Sequence, residues 1–232
     1  MKISIIIPVY NEHQHILKVI DSVLNVTMPR HVTIEVIVVD DGSTDGTKKI
    51  LEAFKDNRLA FLFSDENRGK GFAIRKGLTM VSGDIVIIQD ADLEYTPNDL
   101  PLLIEPILNG KAKAVYGSRF LGKIEGMQLK YWLMNKLLIL AVRIIYGKWI
   151  TDEATGYKAF DKALIQRIPL KCQHFEFCPE ITAKLLRMNV NIFEVPISYN
   201  ARNIKQGKKV RFKDAIDAFA TLLRYARWKN EN

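Results

Sequence analysis

An open, mostly parallel α/β sheet with helices on both faces is the fold class this sequence predicts, and three observations predict it. Short continuous apolar runs at 2–9 (KISIIIPV), 34–39 (IEVIVV) and 85–88 (IVII) have the length and β-branched content of strands covered on both faces. Each is followed by a polar or glycine-bearing loop, then by residues with helical periodicity. Charged side chains also collect at or just after the strand ends: Asp40, Asp41, Lys70, Asp90 and Asp92. Sheets of this kind bind ligands beyond the carboxyl ends of their strands, so that placement gathers the five into one cleft.

The chain has 232 residues, 48% hydrophobic and 26% charged, enough for one domain with a sizeable core. A net charge of +8 suits anionic partners: nucleotides, phosphates, nucleic acid or an acidic membrane face. No zinc spacing, aromatic-basic RNA motif or helix-turn-helix pattern is present, so nucleic acid is not expected. Cys172 and Cys178 bracket His174 without matching a zinc site and read as idle thiols. Met1 leads almost directly into a strand with no signal-peptide pattern, which makes a reducing, cytoplasmic location the expectation.

Taken in order, 2–9 is the first strand and Pro8 ends its hydrogen bonding. Ile16, Leu17, Ile20, Val23 and Leu24 then recur at helical spacing, while His13 and His15 read as solvated surface. The second strand runs into Asp40–Thr47 (DDGSTDGT), rich in helix-capping residues and turn glycines, and a helix follows over 48–54. Strand 59–63 leads to Asn67-Arg68-Gly69-Lys70-Gly71 and a helix over 72–81. A basic glycine loop before a helix can hold an anion on its backbone N–H groups, or can be an ordinary helix-entry turn.

The central stretch is DIVIIQDADLE, 84–94. Positions two apart on an extended backbone share a face, so Asp90 and Asp92 can converge on a hard divalent cation, with Glu94 as a third ligand. The competing reading has these aspartates capping the next helix. A helix is expected over 96–108 and a strand over 112–116, ending in Gly117-Ser118-Arg119. The Arg119 fork can bind a phosphate oxygen or lie on the surface. The oiliest stretch, 127–150, is interrupted by Lys130, Lys136, Arg143 and Lys148, which argues against a membrane-crossing helix. Its tryptophans and tyrosines suit a helix lying in a bilayer interface; packing on the sheet is the alternative. A helix over 181–188 and a strand over 190–195 follow, and Pro196 to Tyr199 is expected to leave that strand. Next come Arg202, Lys205, Lys208, Lys209 and Arg211, either solvated surface or contacts for a phosphate, and an amphipathic helix over 212–228.

The pieces IPVYNE, VDDGSTDGT, NRGKGFAIRKG, DADLE, YGSRF, TGYKAF, FEFCPEI and VPISYNAR followed by GKK are spread over nearly the whole chain. Together they resemble family 2 glycosyltransferases of the GT-A type, most closely the polyprenyl-phosphate sugar synthases such as dolichyl-phosphate mannose synthase. The resemblance implies Mg²⁺- or Mn²⁺-dependent, inverting transfer of a hexose from GDP-mannose or a UDP-hexose to a dolichyl or undecaprenyl phosphate. It implies that Pro8, Tyr10, Glu12 and Asp40 surround the base and ribose, with Asp41 and Lys70 beside them. Asp90 would meet donor sugar or metal, Asp92 and Glu94 the metal, and Arg119, Arg202 and Lys209 a diphosphate or acceptor phosphate. Residues 1–120 would then be the nucleotide-sugar half of a single domain and 121–232 the acceptor half, peripheral on the cytoplasmic face of a membrane.

An acceptor that is a lipid phosphate is already an anionic nucleophile and needs no strong base. A hydroxyl acceptor on a saccharide or protein does need one, and Asp152, Glu176 and Glu180 are its candidates. A non-catalytic nucleotide-binding module is the reading from another class.

Overall fold

The computed structural model describes residues 1–202 and 212–230. Strands β1 (Lys2–Val9), β2 (Thr33–Asp40), β3 (Leu59–Phe63), β4 (Ile85–Ile88), β5 (Ala114–Glu125), β6 (Lys158–Asp161) and β7 (Ile192–Asn200) form one seven-stranded sheet. Its order is β3-β2-β1-β4-β6-β5-β7, and β6 alone runs antiparallel to its neighbours. The helices are α1 (Ile16–Leu24), α2 (Thr47–Ala53), α3 (Lys70–Leu78), α4 (Leu100–Leu108), α5 (Leu129–Tyr146), α6 (Lys162–Gln166), α7 (Phe177–Arg187) and α8 (Phe212–Tyr225).

The alternation of side chains along a strand explains why the central runs are apolar throughout. Ile5 and Ile7 of β1, Val36 and Val38 of β2, and Ile85 and Ile87 of β4 enter one core with Ile16, Val19, Ile20 and Val23 of α1 and Leu100, Leu103 and Ile104 of α4. Their neighbours Ile6, Ile37, Val39, Val86 and Ile88 enter a second core under α3 and α7, with Ala73, Ile74, Phe177, Ile181 and Leu185. A third cluster joins α5, α7 and α8 through Leu138, Val142, Ala183, Leu186, Ala218 and Leu222.

Three departures from the expected elements have physical causes. The four-residue strand β6, KAFD, has no apolar run to announce it, because it opens on Lys158, which is buried with no solvent exposure. The Lys158 ammonium donates to the carbonyls of Glu153 (2.8 Å) and Thr155 (2.6 Å) and lies 4.1 Å from the Tyr116 ring centroid, which makes its burial tolerable. Strand β5 continues through Gly117-Ser118-Arg119 instead of ending before it, with a bulge between Ser118 and Lys123 opposite β7. A Cβ at Gly122 would come 2.0 Å from the Ile197 carbonyl oxygen, so glycine marks a close backbone approach here. Pro196 lies inside β7 and does not end it, since β7 is the sheet's edge strand and one side needs no ladder donor.

Candidate active site

The cleft opens at the carboxyl ends of β1, β2 and β4, has a volume of about 990 Å³, and is roofed by α5, α8 and the start of α7. Pro8, Tyr10, Glu12, Asp41, Lys70, Asp90, Asp92, Glu94, Arg119 and Arg202 line it. Asp40 ends β2 beside Asp41, while Lys209 lies outside the described residues.

Asp40 accepts a hydrogen bond from Ser43 N–H on Oδ1 (3.0 Å), and Asp41 accepts from Arg68 and Gly69 N–H on Oδ2 (3.0 and 2.6 Å). The other oxygen of each, Asp40 Oδ2 and Asp41 Oδ1, is buried without a partner. Burial, and to a lesser degree the neighbouring Asp40 charge, raises the Asp41 pKa against the pull of the two N–H groups. Two buried acceptors without donors are costly unless a ligand supplies the donors.

Four backbone N–H groups of the glycine loop and the helix start behind it are already engaged within the protein. Arg68 and Gly69 N–H are spent on Asp41, and Gly71 and Phe72 N–H donate to the carbonyls of His174 and Gln173 (both 2.9 Å). Of the two readings of this loop, the helix-entry turn is the one the geometry supports. Lys70 does enter the cleft, where its ammonium meets Asp90 Oδ1 at 2.5 Å. Burial works against that charge, and the Asp90 carboxylate outweighs it, leaving the Lys70 pKa raised.

Asp90 and Asp92 reach one cleft by a different route from strand alternation. Strand β4 stops at Ile88, and the backbone bends through 91–94 with Leu93 at a φ of 59°, a left-handed conformation rare outside glycine. Asp92 Oδ2 accepts from Arg202 Nη2 at 3.0 Å. Burial first, then the charges of Asp90 and Glu94, push the Asp92 pKa up to about 7, although Arg202 pulls the other way. Glu94 follows two residues later, and no group of three His, Cys, Asp or Glu side chains already placed to hold a metal occurs among the described residues. The Glu94 oxygens accept from Arg202 N–H (2.7 Å) and Tyr199 O–H (2.8 Å).

Whether these residues fit a divalent cation rests on the charge they concentrate. A hard cation bound through a diphosphate needs only one or two protein carboxylates. Burial first, and then the charges of Asp90 and Glu94, disfavour ionised Asp92, so added positive charge there is stabilising. Asp90 and Asp92 therefore fit, and Glu94 holds the Arg202 backbone N–H beside them.

The side of the cleft around Arg119 is built from paired charges. Arg119 Nε and Nη2 hold Asp152 in a fork, 2.7 Å on each oxygen, and Nη2 also donates to Asn135 Oδ1 at 3.0 Å. Asp152 is fully buried by this arrangement, which makes it an anchor for Arg119 instead of a free base. The other candidate bases are engaged as well. Glu176 accepts from Gln173 and His174 N–H (2.7 and 2.9 Å), and Glu180 from Lys171 and Cys172 N–H (2.8 and 2.6 Å) and the Lys184 ammonium (2.5 Å). Sequence reasoning missed Glu153, which lines the cleft at 1% exposure with both carboxylate oxygens unpartnered. Burial raises its pKa to about 7, with Lys158 and then Thr182 drawing it down. The adjacent acids of TDEATG were the available signal.

A family model described as glycosyl transferase family 2 matches residues 4–169. The dolichol-phosphate mannosyltransferase of Pyrococcus furiosus is 30% identical over 236 residues, covering 100% of this chain, which spans 65% of that relative's length. The UDP-N-acetylglucosamine–dolichyl-phosphate N-acetylglucosaminyltransferase of Methanococcus voltae is 29% identical over 231 residues, 90% of each chain. Among solved structures, glucosyl-3-phosphoglycerate synthase from Mycobacterium tuberculosis, in complex with Mn²⁺, UDP and glucosyl-3-phosphoglycerate, superposes with a TM-score of 0.74 at 23% identity, covering 99% of this chain and 81% of that one. Sheet, cleft and sequence match agree: the fold is of the GT-A type, and the chain belongs to glycosyl transferase family 2.

Proposed function

We propose that this protein transfers a hexose, with inversion, from a nucleotide sugar to a polyprenyl phosphate, and that it works at a membrane surface. The observation that carries the acceptor is the engagement of Asp152, Glu176 and Glu180 in other bonds. A lipid phosphate brings its own negative charge and needs none of them as a base. The relatives named above, acting on dolichol phosphate or dolichyl phosphate, support the same acceptor class.

In this reading the orphan oxygens of Asp40 and Asp41 accept N–H or O–H groups of the base and ribose. Asp90 and Asp92 would hold Mg²⁺ or Mn²⁺, which when bound supplies positive charge where the departing diphosphate gathers negative charge. Lys70, kept charged by Asp90, lies beside that position. Arg119 is oriented by Asp152 and Asn135 through Nε and Nη2, and Nη1 takes part in none of those bonds, leaving it for the acceptor phosphate. Roofing by α5, α8 and α7 keeps water from the oxocarbenium-like carbon.

The membrane reading rests on α5. Leu129, Leu133, Leu137, Leu140 and Ile144 form an exposed apolar stripe, with Ile144 74% accessible, and Trp149 beyond the helix is 64% accessible. The helix carries Lys130, Lys136 and Arg143 and no acid, a composition suited to an anionic lipid surface on the cytoplasmic side. No described helix is long and apolar enough to cross a membrane.

The test is direct assay: purified protein with metal, polyprenyl phosphate and GDP-mannose or a UDP-hexose should yield the lipid-phosphate sugar. No product from any common donor refutes the reading. Glu153 favours a second reading, in which a near-neutral carboxyl acts as base toward a hydroxyl acceptor. Glu153→Gln should leave transfer to lipid phosphate within about threefold, whereas loss of a base costs about 10²-fold or more.

A further inference from the structure

Arg202 occupies the centre of the acidic cluster. Its Nη1 and Nη2 each donate to a different oxygen of Glu12 at 3.1 Å, its Nη2 also reaches Asp92 Oδ2 at 3.0 Å, and its own backbone N–H holds Glu94 at 2.7 Å. One cation thus spans the acids expected on the base and ribose side and those expected on the metal side. Its Nε is buried with no hydrogen-bond partner, so the guanidinium is not fully satisfied where it sits. A carboxylate oxygen hydrogen-bonded to a guanidinium cannot present the same lone pair to a metal ion.

From this geometry we infer that Arg202 is a tethered cation that holds Asp92 in the metal-free protein and must give it up when a divalent metal binds. The consequence is that the site takes metal efficiently only together with a nucleoside diphosphate. The diphosphate offers Nη2 an anionic acceptor in place of Asp92, which no longer serves as one once it ligates metal. Metal alone takes Asp92 from Arg202 Nη2 and leaves that bond unreplaced, with only the Glu12 contacts remaining. Arg202 therefore couples metal affinity to nucleotide affinity, reciprocally for the two ligands. The inference rests on the proposed metal site at Asp90 and Asp92 and adds to it which residue sets the affinity.

The experiment measures Mn²⁺ uptake by electron paramagnetic resonance on metal-free full-length protein, without turnover, alone and with GDP or UDP. Arg202→Gln should bind Mn²⁺ alone at least about fivefold more tightly than wild type, and the gain that nucleotide confers on Mn²⁺ affinity should shrink by a similar factor. Arg202→Lys keeps the charge but cannot fork onto Glu12 while reaching Asp92. It should also tighten Mn²⁺ binding, by a smaller factor, and it serves where the glutamine variant is unstable. Unchanged or weaker Mn²⁺ binding in Arg202→Gln overturns the exchange. Tightening in Arg202→Gln with none in Arg202→Lys also overturns it, because a general field effect then suffices. An Asp92→Asn control separates the two layers: if it binds Mn²⁺ like wild type, the metal reading itself falls.

Discussion

Asp92 in the cleft and Glu180 at the base of α7 are both acids withdrawn from water, yet their charges are met in opposite ways. Glu180 is 1% exposed, and burial alone would raise its pKa. The Lys184 ammonium and the Lys171 and Cys172 N–H groups outweigh that and lower it. Asp92 has the neighbouring acids Asp90 and Glu94 adding to burial, and Arg202 only partly offsets them. One carboxylate is satisfied by the fold, and the other is left in a state that a further cation improves. The difference marks which part of the molecule is scaffold and which part is arranged for a ligand.

The widest separation between the two acids should come from substitution. Asp92→Ala is expected to lower metal-dependent sugar transfer by about 10³-fold or more while the thermal midpoint stays near wild type, read by turnover and calorimetry together. A variant retaining most activity would place Asp92 among scaffold acids. Lys184→Ala should do the reverse. Leaving Glu180 buried and unpaired costs about 3–5 kcal/mol in chemical denaturation, with turnover by the remaining folded protein little changed.

Titration sharpens the contrast further. The folded, metal-free protein keeps a proton on Asp92 up to about pH 7, whereas the unfolded chain releases it near the ordinary 3.8. The native state therefore binds more protons in that window, and this group makes stability fall as pH rises from about 4 to 7. Asp92→Asn removes the effect, so urea denaturation should find the variant gaining on wild type at pH 8 relative to pH 5. Saturating Mg²⁺ should narrow that gap in the wild type. Equal pH dependence in the two proteins would mean that Asp92 is ionised like any surface acid. The smallest effect on stability belongs to the exposed apolar stripe of α5. Leu140→Glu with Ile144→Glu, both at exposed positions, should change folding by under about 0.5 kcal/mol per site but abolish co-sedimentation with anionic vesicles.

Much of this layout was legible in the amino acids. Runs such as SIIIPV and EVIVVD give buried parallel strands because both faces of a central strand need apolar side chains, and the observed β1, β2 and β4 follow. The gathering of Asp41, Lys70, Asp90 and Asp92 in one cleft follows from strand direction, which aims every β-to-loop junction of a parallel sheet the same way. Strand β6 was hidden because Lys158, a residue that normally signals surface, is accommodated by two carbonyls and an aromatic ring supplied from elsewhere. Continuation of β5 through Gly117 and of β7 through Pro196 was hidden for a related reason. Glycine and proline read as breaks until the neighbouring strand and the sheet edge are known.

By itself, then, the sequence determined the central strands with the helices that follow them and the placement of Asp41, Lys70, Asp90 and Asp92 at the cleft, which depend on local spacing, and its motifs carried the family. Only the tertiary structure decided which charge answers which. Arg202 meets Glu12 across 190 positions, Lys70 is held by Asp90, and the Gly71 and Phe72 amides in the first turn of α3 are closed off by the carbonyls of His174 and Gln173. Such pairings depend on distances of a few ångströms and on how much water has been excluded, and neither quantity exists until remote segments of the chain have packed together.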